Sequence, residues 1–280
     1  MYSDSNLSDG LTGALDRATA PAPEDEVRFT LLGPLEVRRG GVDYAPSTPK
    51  ILQLLAMLVT QPGKMVHTDS LIEELWASSP PRSVRATLHT YIYHLRRCII
   101  QHGLAADGED LLVRKPPGYI LRIDPAQLDV HAFARLQQQG REAQRANRHA
   151  EAARAYRAAL DLWSGPPLAN IHCGPVLSAY TVDLLEQRRS TLRMRIEAEI
   201  NSGKHLELIG ELRSLTSGNP LDEALHGQLM RALGRSGRRS DAMVVYRRLR
   251  AKLTDELGVE PCDELQVLHR NLLSEGEPAT

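Results

Sequence analysis

The fold is decided by residues 82–102, which read RSVRATLHTYIYHLRRCIIQH. Apolar side chains in this stretch recur at the spacing of one helix face; they are Val84, Leu88, Ile92, Leu95 and Ile99. At about 100° per residue, the polar side opposite holds Ala86, Thr90, Tyr93 and Arg97, flanked by Thr87, His94 and Gln101. The stretch therefore predicts a helix with an apolar core face and a polar outer face.

The charge of this stretch is one-sided. No acid occurs between Glu74 and Asp107, whereas four arginines fall in that interval: Arg82, Arg85, Arg96 and Arg97. A solvated helix face normally mixes both signs of charge. Two interpretations follow: a surface helix that is basic by chance, or a helix that meets phosphate groups. The residues on either side favour the second.

Two shorter helices and a hairpin surround the helix. One helix is predicted to begin at Pro49, with Thr48 as its cap, and another to begin somewhere between Thr68 and Ser70. After the helix at 82–102, the sequence predicts a β-hairpin with a basic tip. Its strands are Leu111–Lys115 and Tyr119–Arg122, joined by the turn Pro116-Pro117-Gly118. Two or three short strands are predicted between Val27 and Tyr44. Three helices and a hairpin define a winged helix-turn-helix domain.

The second half of the chain predicts helices only. From Asp129 onward strand signals largely vanish, and helical segments alternate with brief polar connections. Residues 148–160 align with 238–250, so that Ala152 matches Ala242 and Tyr156 matches Tyr246. A small residue followed four positions later by a tyrosine is typical of tetratricopeptide-type helix pairs. This half therefore predicts a repeat-like, all-α domain.

These patterns define the expected organisation of a mainly α, two-domain chain. Residues 1–26 carry six acids and one base with little apolar surface, so we expect a solvated tail. We assign 27–124 to an α+β winged helix of OmpR type, 125–275 to the all-α domain and 276–280 to a tail.

The winged helix predicts a DNA-binding site, because an α-helix fits the major groove and arginine is attracted to phosphates. We expect Arg82, Arg85 and Arg96 to contact backbone phosphates. The predicted groove-facing residues are Thr87, Thr90, Tyr93, His94 and Arg97, with Arg97 best suited to guanine. In the wing, we expect contacts to an adjacent backbone or minor groove from Arg114, Lys115, Pro117 and Gly118.

The sequence argues against catalysis. It contains no glycine-rich phosphate loop, no HExxH or HxxxH spacing and no Gly-x-Ser-x-Gly elbow. Its three cysteines, Cys98, Cys173 and Cys262, lack the paired spacing that suits zinc or disulfides. We therefore predict no catalytic residue, no metal site and no cofactor. No segment has the pattern of a signal peptide or a membrane span, so we expect a cytoplasmic protein with no membrane contact.

Several motifs in fixed order resemble the Streptomyces antibiotic regulatory protein family, over about residues 27–275. They are ATLHTYIYHLRR at 86–97, PGYIL at 117–121, LDVHAF at 128–133, ALDLWSGPPL at 159–168, QLMRAL at 228–233, SGR at 236–238 and DELGVEP at 255–261. Two features depart from the family pattern. One is the acidic tail, and the other is Gly234, which puts local helix stability in doubt because glycine is a poor helix former.

The resemblance implies an OmpR-type winged helix followed by a bacterial transcriptional activation domain with tetratricopeptide-like packing. It implies an activator of a secondary-metabolite (antibiotic) gene cluster that binds direct repeats near the −35 region, as a homodimer on DNA. It also implies recruitment of RNA polymerase, including its sigma factor. The alternative is a helical-repeat interaction scaffold whose winged helix binds protein rather than DNA.

Overall fold

The computed structural model describes residues 26–77, 79–104 and 108–274. It divides the chain into two compact units, one of Met1–Asp129 with Leu168–Leu177, and one of Val130–Pro167 with Ser178–Thr280. The sequence predicted a boundary at 124/125 and a contiguous second domain, so the structure differs in placing 168–177 with the first unit. Both predicted tails, apart from Glu26, lie outside the described residues.

A small antiparallel sheet begins the first unit. Its strands are β1 (Arg28–Thr30), β2 (Glu36–Arg39) and β3 (Val42–Asp43), in the order β1-β2-β3. Phe29 on β1 pairs with Val37 on β2, and both side chains are buried. The short strands predicted between Val27 and Tyr44 are therefore present.

Three helices form the centre of the first unit: α1 (Pro49–Val59), α2 (Thr68–Trp76) and α3 (Val84–Gln101). Helix α1 starts with Pro49 in its first turn, as predicted, although the Thr48 side chain makes no capping hydrogen bond. Every residue from Ile51 to Val59 is buried. A helix that is buried on all sides lies in the middle of a core, and α2 and α3 both pack against α1.

A second sheet completes the winged helix. After a single helical turn, α4 (Gly108–Leu111), the predicted hairpin forms as β5 (Leu112–Lys115) and β6 (Gly118–Leu121). The sequence pattern did not predict α4 or a third strand, β4 (Met65–His67), which pairs antiparallel with β6. A Cβ on Gly118 would lie 2.1 Å from the carbonyl oxygen of Val66, so only glycine allows this pairing.

Side-chain hydrogen bonds explain why residues 168–177 belong to the first unit. The Asn170 side chain accepts a hydrogen bond from the Leu35 backbone N–H and donates one to the Leu35 carbonyl. The Leu168 N–H also donates to the carbonyl of Leu31. Because these bonds join positions more than 130 residues apart, no local sequence pattern announces them.

Helices are the only regular elements in the described residues of the second unit. Short connections join most of its helices, with a longer one between Leu160 and Pro175, and α9 packs against α8, α10 and α11. Two of them, the first and the third, begin in residues that belong to the first unit. In order, the helices are α5 (Asp129–Arg145), α6 (His149–Leu160), α7 (Pro175–Asn201), α8 (His205–Gly218), α9 (Glu223–Arg235), α10 (Arg239–Leu257) and α11 (Asp263–Ser274).

The repeated alanine and tyrosine positions are core positions in both copies. Ala152 and Tyr156 are buried in α6, and Ala242 and Tyr246 are buried in α10. A Cβ on Gly140 of α5 would lie 2.4 Å from the Tyr156 ring, so the missing side chain makes room for the aromatic ring. This is the interlocking of small and aromatic residues that the repeat predicts.

Gly234 has a packing role that the sequence did not show. Helix α9 continues through it to Arg235. A Cβ at this position would lie 2.6 Å from Cδ2 of Leu272 on α11. The glycine therefore gives Leu272 its place in the core, and the helix does not end there.

Candidate nucleic-acid interface

Helix α3 separates a core face from a solvent face, as predicted. Leu88, Ile92, Leu95 and Ile99 are between 0% and 3% exposed. Val84, at the start of the helix, is half-buried. This burial leaves the polar side of α3 as its outer surface.

The predicted groove-facing residues lie on that outer surface. Thr90, Tyr93, His94 and Arg97 are exposed, Tyr93 at 61%, while Thr87 is half-buried. The hydroxyls of both threonines donate hydrogen bonds to carbonyls four residues earlier in the same helix. Each threonine can thus offer a base edge its methyl group or a hydroxyl oxygen as acceptor. The outer surface therefore combines a cation, an aromatic ring and mid-length polar groups.

Two of the arginines predicted to meet phosphates lie at the start of α3, Arg82 just before it and Arg85 in its first turn. Arg82 and Arg85 are exposed. Arg85 lies 3.3 Å from a carboxylate oxygen of Asp69, with both side chains more than 70% exposed. An ion pair this exposed contributes at most about 1 kcal/mol. A phosphate group can therefore displace Asp69 at low cost.

Arg96 has a different position from the other arginines. Its side chain is half-buried, and its Nε and a terminal nitrogen donate to the carbonyl oxygen of Leu112 at 3.2 and 2.9 Å. These bonds tie α3 to the first strand of the hairpin. The structure thus gives Arg96 a positioning role, and the phosphate contact predicted for it would compete with these bonds.

The hairpin presents a basic tip. Arg114, Lys115 and Pro117 are exposed, whereas Gly118 is buried by its pairing with β4. The Pro117 carbonyl accepts hydrogen bonds from the backbone N–H and the hydroxyl of Thr68, at 3.0 and 2.7 Å. The start of α2 therefore fixes the tip, whereas the two cationic side chains remain in solvent.

A notch between α3 and the hairpin brings several of these groups together. Its cavity has a volume of about 330 Å³ and is lined by residues that include Arg85, His89 and Arg114. Thr68 and Asp69, at the start of α2, also line it. His89 was not among the predicted contact residues. Its spacing of four from Arg85, which places the two side chains on one side of a helix, is the signal that could have found it.

Three observations on the described residues concern metal ligands, helix hydropathy and a buried thiol. In residues 26–77, 79–104 and 108–274 there is no group of three or more metal-ligating side chains. Over the same ranges, none of the helices combines the length and hydropathy of a membrane span. Burial raises the pKa of the Cys98 thiol on α3, which keeps it protonated and unreactive.

Comparison with known families matches each half of the chain to a separate domain. The family described as "Transcriptional regulatory protein, C terminal" matches residues 45–121. The family described as "Bacterial transcriptional activator domain" matches residues 128–273. Together with the fold, these matches define a winged-helix transcriptional regulator of OmpR type that carries a bacterial activator domain.

Individual relatives support the same assignment to a class of transcriptional regulators. Regulatory protein DnrI of Streptomyces peucetius is 38% identical over 250 residues, covering 88% of this chain and 92% of DnrI. Regulatory protein AfsR of Streptomyces coelicolor is 36% identical over 263 residues, which is 92% of this chain and 26% of AfsR. The chain belongs to the Streptomyces antibiotic regulatory protein family.

A solved structure shows the same fold. The structure titled "Mycobacterium tuberculosis EmbR in complex with low affinity phosphopeptide" matches with a TM-score of 0.83 at 35% identity. The match covers 91% of this chain and 66% of that one. The mainly helical fold, with a winged helix before an all-α domain, is thus that of a related transcriptional regulator.

Proposed function

We propose that this protein binds specific DNA sites through α3 and the β5–β6 hairpin and activates transcription from them. The observation that carries the proposal is the exposed outer face of α3, which lies in an interval of the sequence without acids. Helix α3 would enter the major groove, and the hairpin would lie along the neighbouring backbone. The buried apolar face holds the helix in place while its outer face reads DNA.

The proposed contacts divide into base and phosphate contacts. Arg97 suits guanine, which presents two acceptors in the major groove, and Thr87 and Thr90 suit thymine methyls or phosphates. Tyr93 and His94 complete the groove-facing set. Phosphate contacts come from Arg82, just before α3, from Arg85 in its first turn, and from Arg114 and Lys115 at the hairpin, where the turn at Pro117-Gly118 would press on the adjacent backbone or minor groove.

Other parts of the proposal rest on the family. We propose that the sites are direct repeats near the −35 region of a secondary-metabolite (antibiotic) gene cluster, occupied by a homodimer. The helical unit would recruit RNA polymerase, including its sigma factor. Such a regulator acts in the cytoplasm, on double-stranded DNA, without catalysis and without a cofactor.

Substitution of Arg97 tests whether the outer face of α3 contacts DNA bases. We expect Arg97→Ala to lose about 1 to 3 kcal/mol of specific binding and to relax preference at one base position. Gel retardation with the intergenic DNA beside the gene, followed by protection mapping, measures both effects. Unchanged affinity and site preference would show that α3 does not read DNA with this face. Failure of the unsubstituted protein to retard any DNA would favour the protein-binding scaffold.

Substitution of Lys115 tests the hairpin. Lys115→Ala should weaken binding about equally on all sequences and reduce the slope of log affinity against log salt by about one unit. Lys204→Ala, an exposed lysine in the helical unit, is the matched control and should leave the slope unchanged. An unaltered slope for Lys115→Ala would remove this residue from the phosphate contacts.

Transcription reconstituted on the bound promoter separates activation from repression.

A further inference from the structure

One side of α3 carries a histidine between two arginines. Arg85, His89 and Arg96 follow one another at steps of four and seven residues, which are spacings along one side of a helix. Arg96 donates to the Leu112 carbonyl of the hairpin, so this side of α3 faces the hairpin. His89 is exposed there. Its imidazole therefore extends the basic side of α3 by a group whose charge depends on pH.

The notch beside His89 has walls that hydrogen bonds hold in place. Thr68 donates twice to the carbonyl of Pro117, and Gly118 pairs with β4. A site that is fixed before its ligand arrives loses little conformational freedom on binding. The volume of the notch, about 330 Å³, is at the low end of small-ligand sites and leaves room for a phosphodiester group. The notch is therefore a preformed site of the right size for a phosphate.

A carboxylate of the chain itself already lies in the notch. Asp69 lines it, and one of its carboxylate oxygens is 3.3 Å from a terminal nitrogen of Arg85. The pair shows where a negatively charged oxygen meets this guanidinium. Because both side chains are more than 70% exposed, the pair breaks at little cost. The Asp69 carboxylate thus marks the place of an exchangeable anion.

The charges that line the notch favour an anion. Arg85 and Arg114 contribute two guanidinium groups, and His89 contributes an imidazole. Among the described residues that line the notch, Asp69 is the one acid, and the remaining ionisable group is the buried phenol of Tyr119. Two guanidinium charges less one carboxylate leave one positive charge when His89 is neutral and two when it is protonated.

We propose that the notch binds one backbone phosphate of the DNA site, and that protonated His89 contacts this phosphate together with Arg85 and Arg114. The phosphate displaces the Asp69 carboxylate from Arg85 as it enters. A protonated imidazole donates a charge-assisted hydrogen bond to phosphate, whereas the neutral ring donates a weaker one. DNA affinity therefore rises as the pH falls through the range in which histidine titrates. The inference rests on the proposed function, to which it adds a contact residue and a dependence on pH.

Replacement of His89 by glutamine tests this contact, because glutamine keeps a hydrogen-bond donor but carries no charge. Gel retardation with the DNA site found by protection mapping measures the affinity of the full chain. His89→Gln should bind about as tightly as the unsubstituted chain at pH 8 and about tenfold more weakly at pH 6, where the imidazole is protonated. His131→Gln, the same change at an exposed position of α5, should have no effect at either pH.

Uncharged phosphates separate a direct contact from a structural effect. In a series of duplexes, one phosphate at a time is replaced by a neutral methylphosphonate. At pH 6 the tenfold loss caused by His89→Gln should shrink to a small one on the duplex that lacks the contacted charge, and persist on the others. A substitution that only disturbed the fold would weaken binding equally on every duplex.

Removal of the competing carboxylate should have the opposite effect. Asp69→Asn should bind DNA about threefold more tightly, because the phosphate no longer displaces an anion from Arg85. Glu73→Gln removes an acid from an exposed position of the same helix, outside the notch, and should change the affinity less. An affinity of Asp69→Asn no higher than that of Glu73→Gln would contradict the displacement.

Two results would overturn the notch as a phosphate site. One is the same pH dependence in His89→Gln as in the unsubstituted chain, and the other is an equal loss on every methylphosphonate duplex. Either result would leave the proposed function in place, since binding of the unsubstituted chain and the effect of Arg97→Ala are measured separately. A chain that retards no DNA at either pH would refute both the notch and the DNA-binding proposal.

Discussion

Replacement of Glu74 by glutamine should destabilise the first unit strongly, although it changes one atom. Glu74 is 2% exposed on α2. One carboxylate oxygen accepts hydrogen bonds from the Gly174 N–H at 2.6 Å and from Gln53 at 3.1 Å. The other oxygen accepts from the N–H groups of Val176 and Leu177, at 2.9 and 3.1 Å. These two donors belong to the first turn of α7, where a negative charge also favours the helix dipole.

The size of the expected loss in unfolding free energy follows from the number of hydrogen-bond donors that Glu74 accepts from. In Glu74→Gln an amide NH₂ replaces one oxygen, so whichever orientation it adopts, two donors lose their acceptor and face another donor. Hydrogen bonds to a charged group contribute about 1.5 to 3 kcal/mol each. Allowing for partial relaxation, we expect the free energy of unfolding of the first unit to fall by about 3 kcal/mol.

Urea denaturation followed by tryptophan fluorescence measures this change. The chain has two tryptophans, and Trp76 of α2 stacks on Tyr91 within the first unit. In a Trp163→Phe background the signal comes from Trp76 alone. Glu73→Gln, an identical change at the neighbouring exposed position, is the control and should shift stability by less than about 0.5 kcal/mol. If both variants unfolded at the same urea concentration, the proposed role of Glu74 as a buried acceptor would be refuted.

Two further predictions concern the helical unit. Gly140→Ala should destabilise it by about 1 to 3 kcal/mol, because the added Cβ would overlap the Tyr156 ring; Gly210→Ala, which meets open space on α8, should not. Urea denaturation monitored by Trp163 fluorescence distinguishes the two. His269 stacks on Tyr246 at 4.0 Å, and burial, followed by the charge of Arg250, lowers its pKa. The unfolded chain then binds the proton more readily, so stability should fall as pH drops below about 6.5. His269→Phe should show a smaller loss of melting temperature between pH 7.5 and 5.5, and an identical loss would contradict this assignment.

The sequence predicts α3 well, because that helix is long and strictly periodic. Leu88, Ile92, Leu95 and Ile99 are all buried, since four consecutive matches to a helical period leave one orientation of the helix. The strand Met65–His67 escaped prediction because three residues are too few to show alternation. Its partner, β6, lies about 50 residues further along the chain. Such short strands are specified by their pairing and not by their own residues.

In the candidate site too, contacts between distant elements could not be predicted from the sequence. Arg96 and Arg97 are adjacent and chemically identical, and the acid-free interval treats them alike. The helical phase predicts DNA contacts for both, Arg96 to phosphate and Arg97 to guanine. The bond of Arg96 to the hairpin comes only from the fold, which brings the Leu112 carbonyl within 2.9 Å of Arg96 and leaves Arg97 exposed. The notch escaped prediction for a related reason, since His89 acquires its neighbours Thr68 and Arg114 from other elements.

Different side chains of α3 hold the helix in place and face the solvent. The side chains that hold the helix are Leu88, Ile92, Leu95 and Ile99 on one side, with Arg96 as the tie to the hairpin. The exposed side chains of Thr90, Tyr93, His94 and Arg97 contribute little to the core, and substitution of such residues usually changes stability by less than about 0.5 kcal/mol. The outer face is therefore free to vary without loss of the fold. Under the proposed function, one scaffold can serve different DNA sites, because the residues that position the helix and the proposed groove-facing residues are different ones.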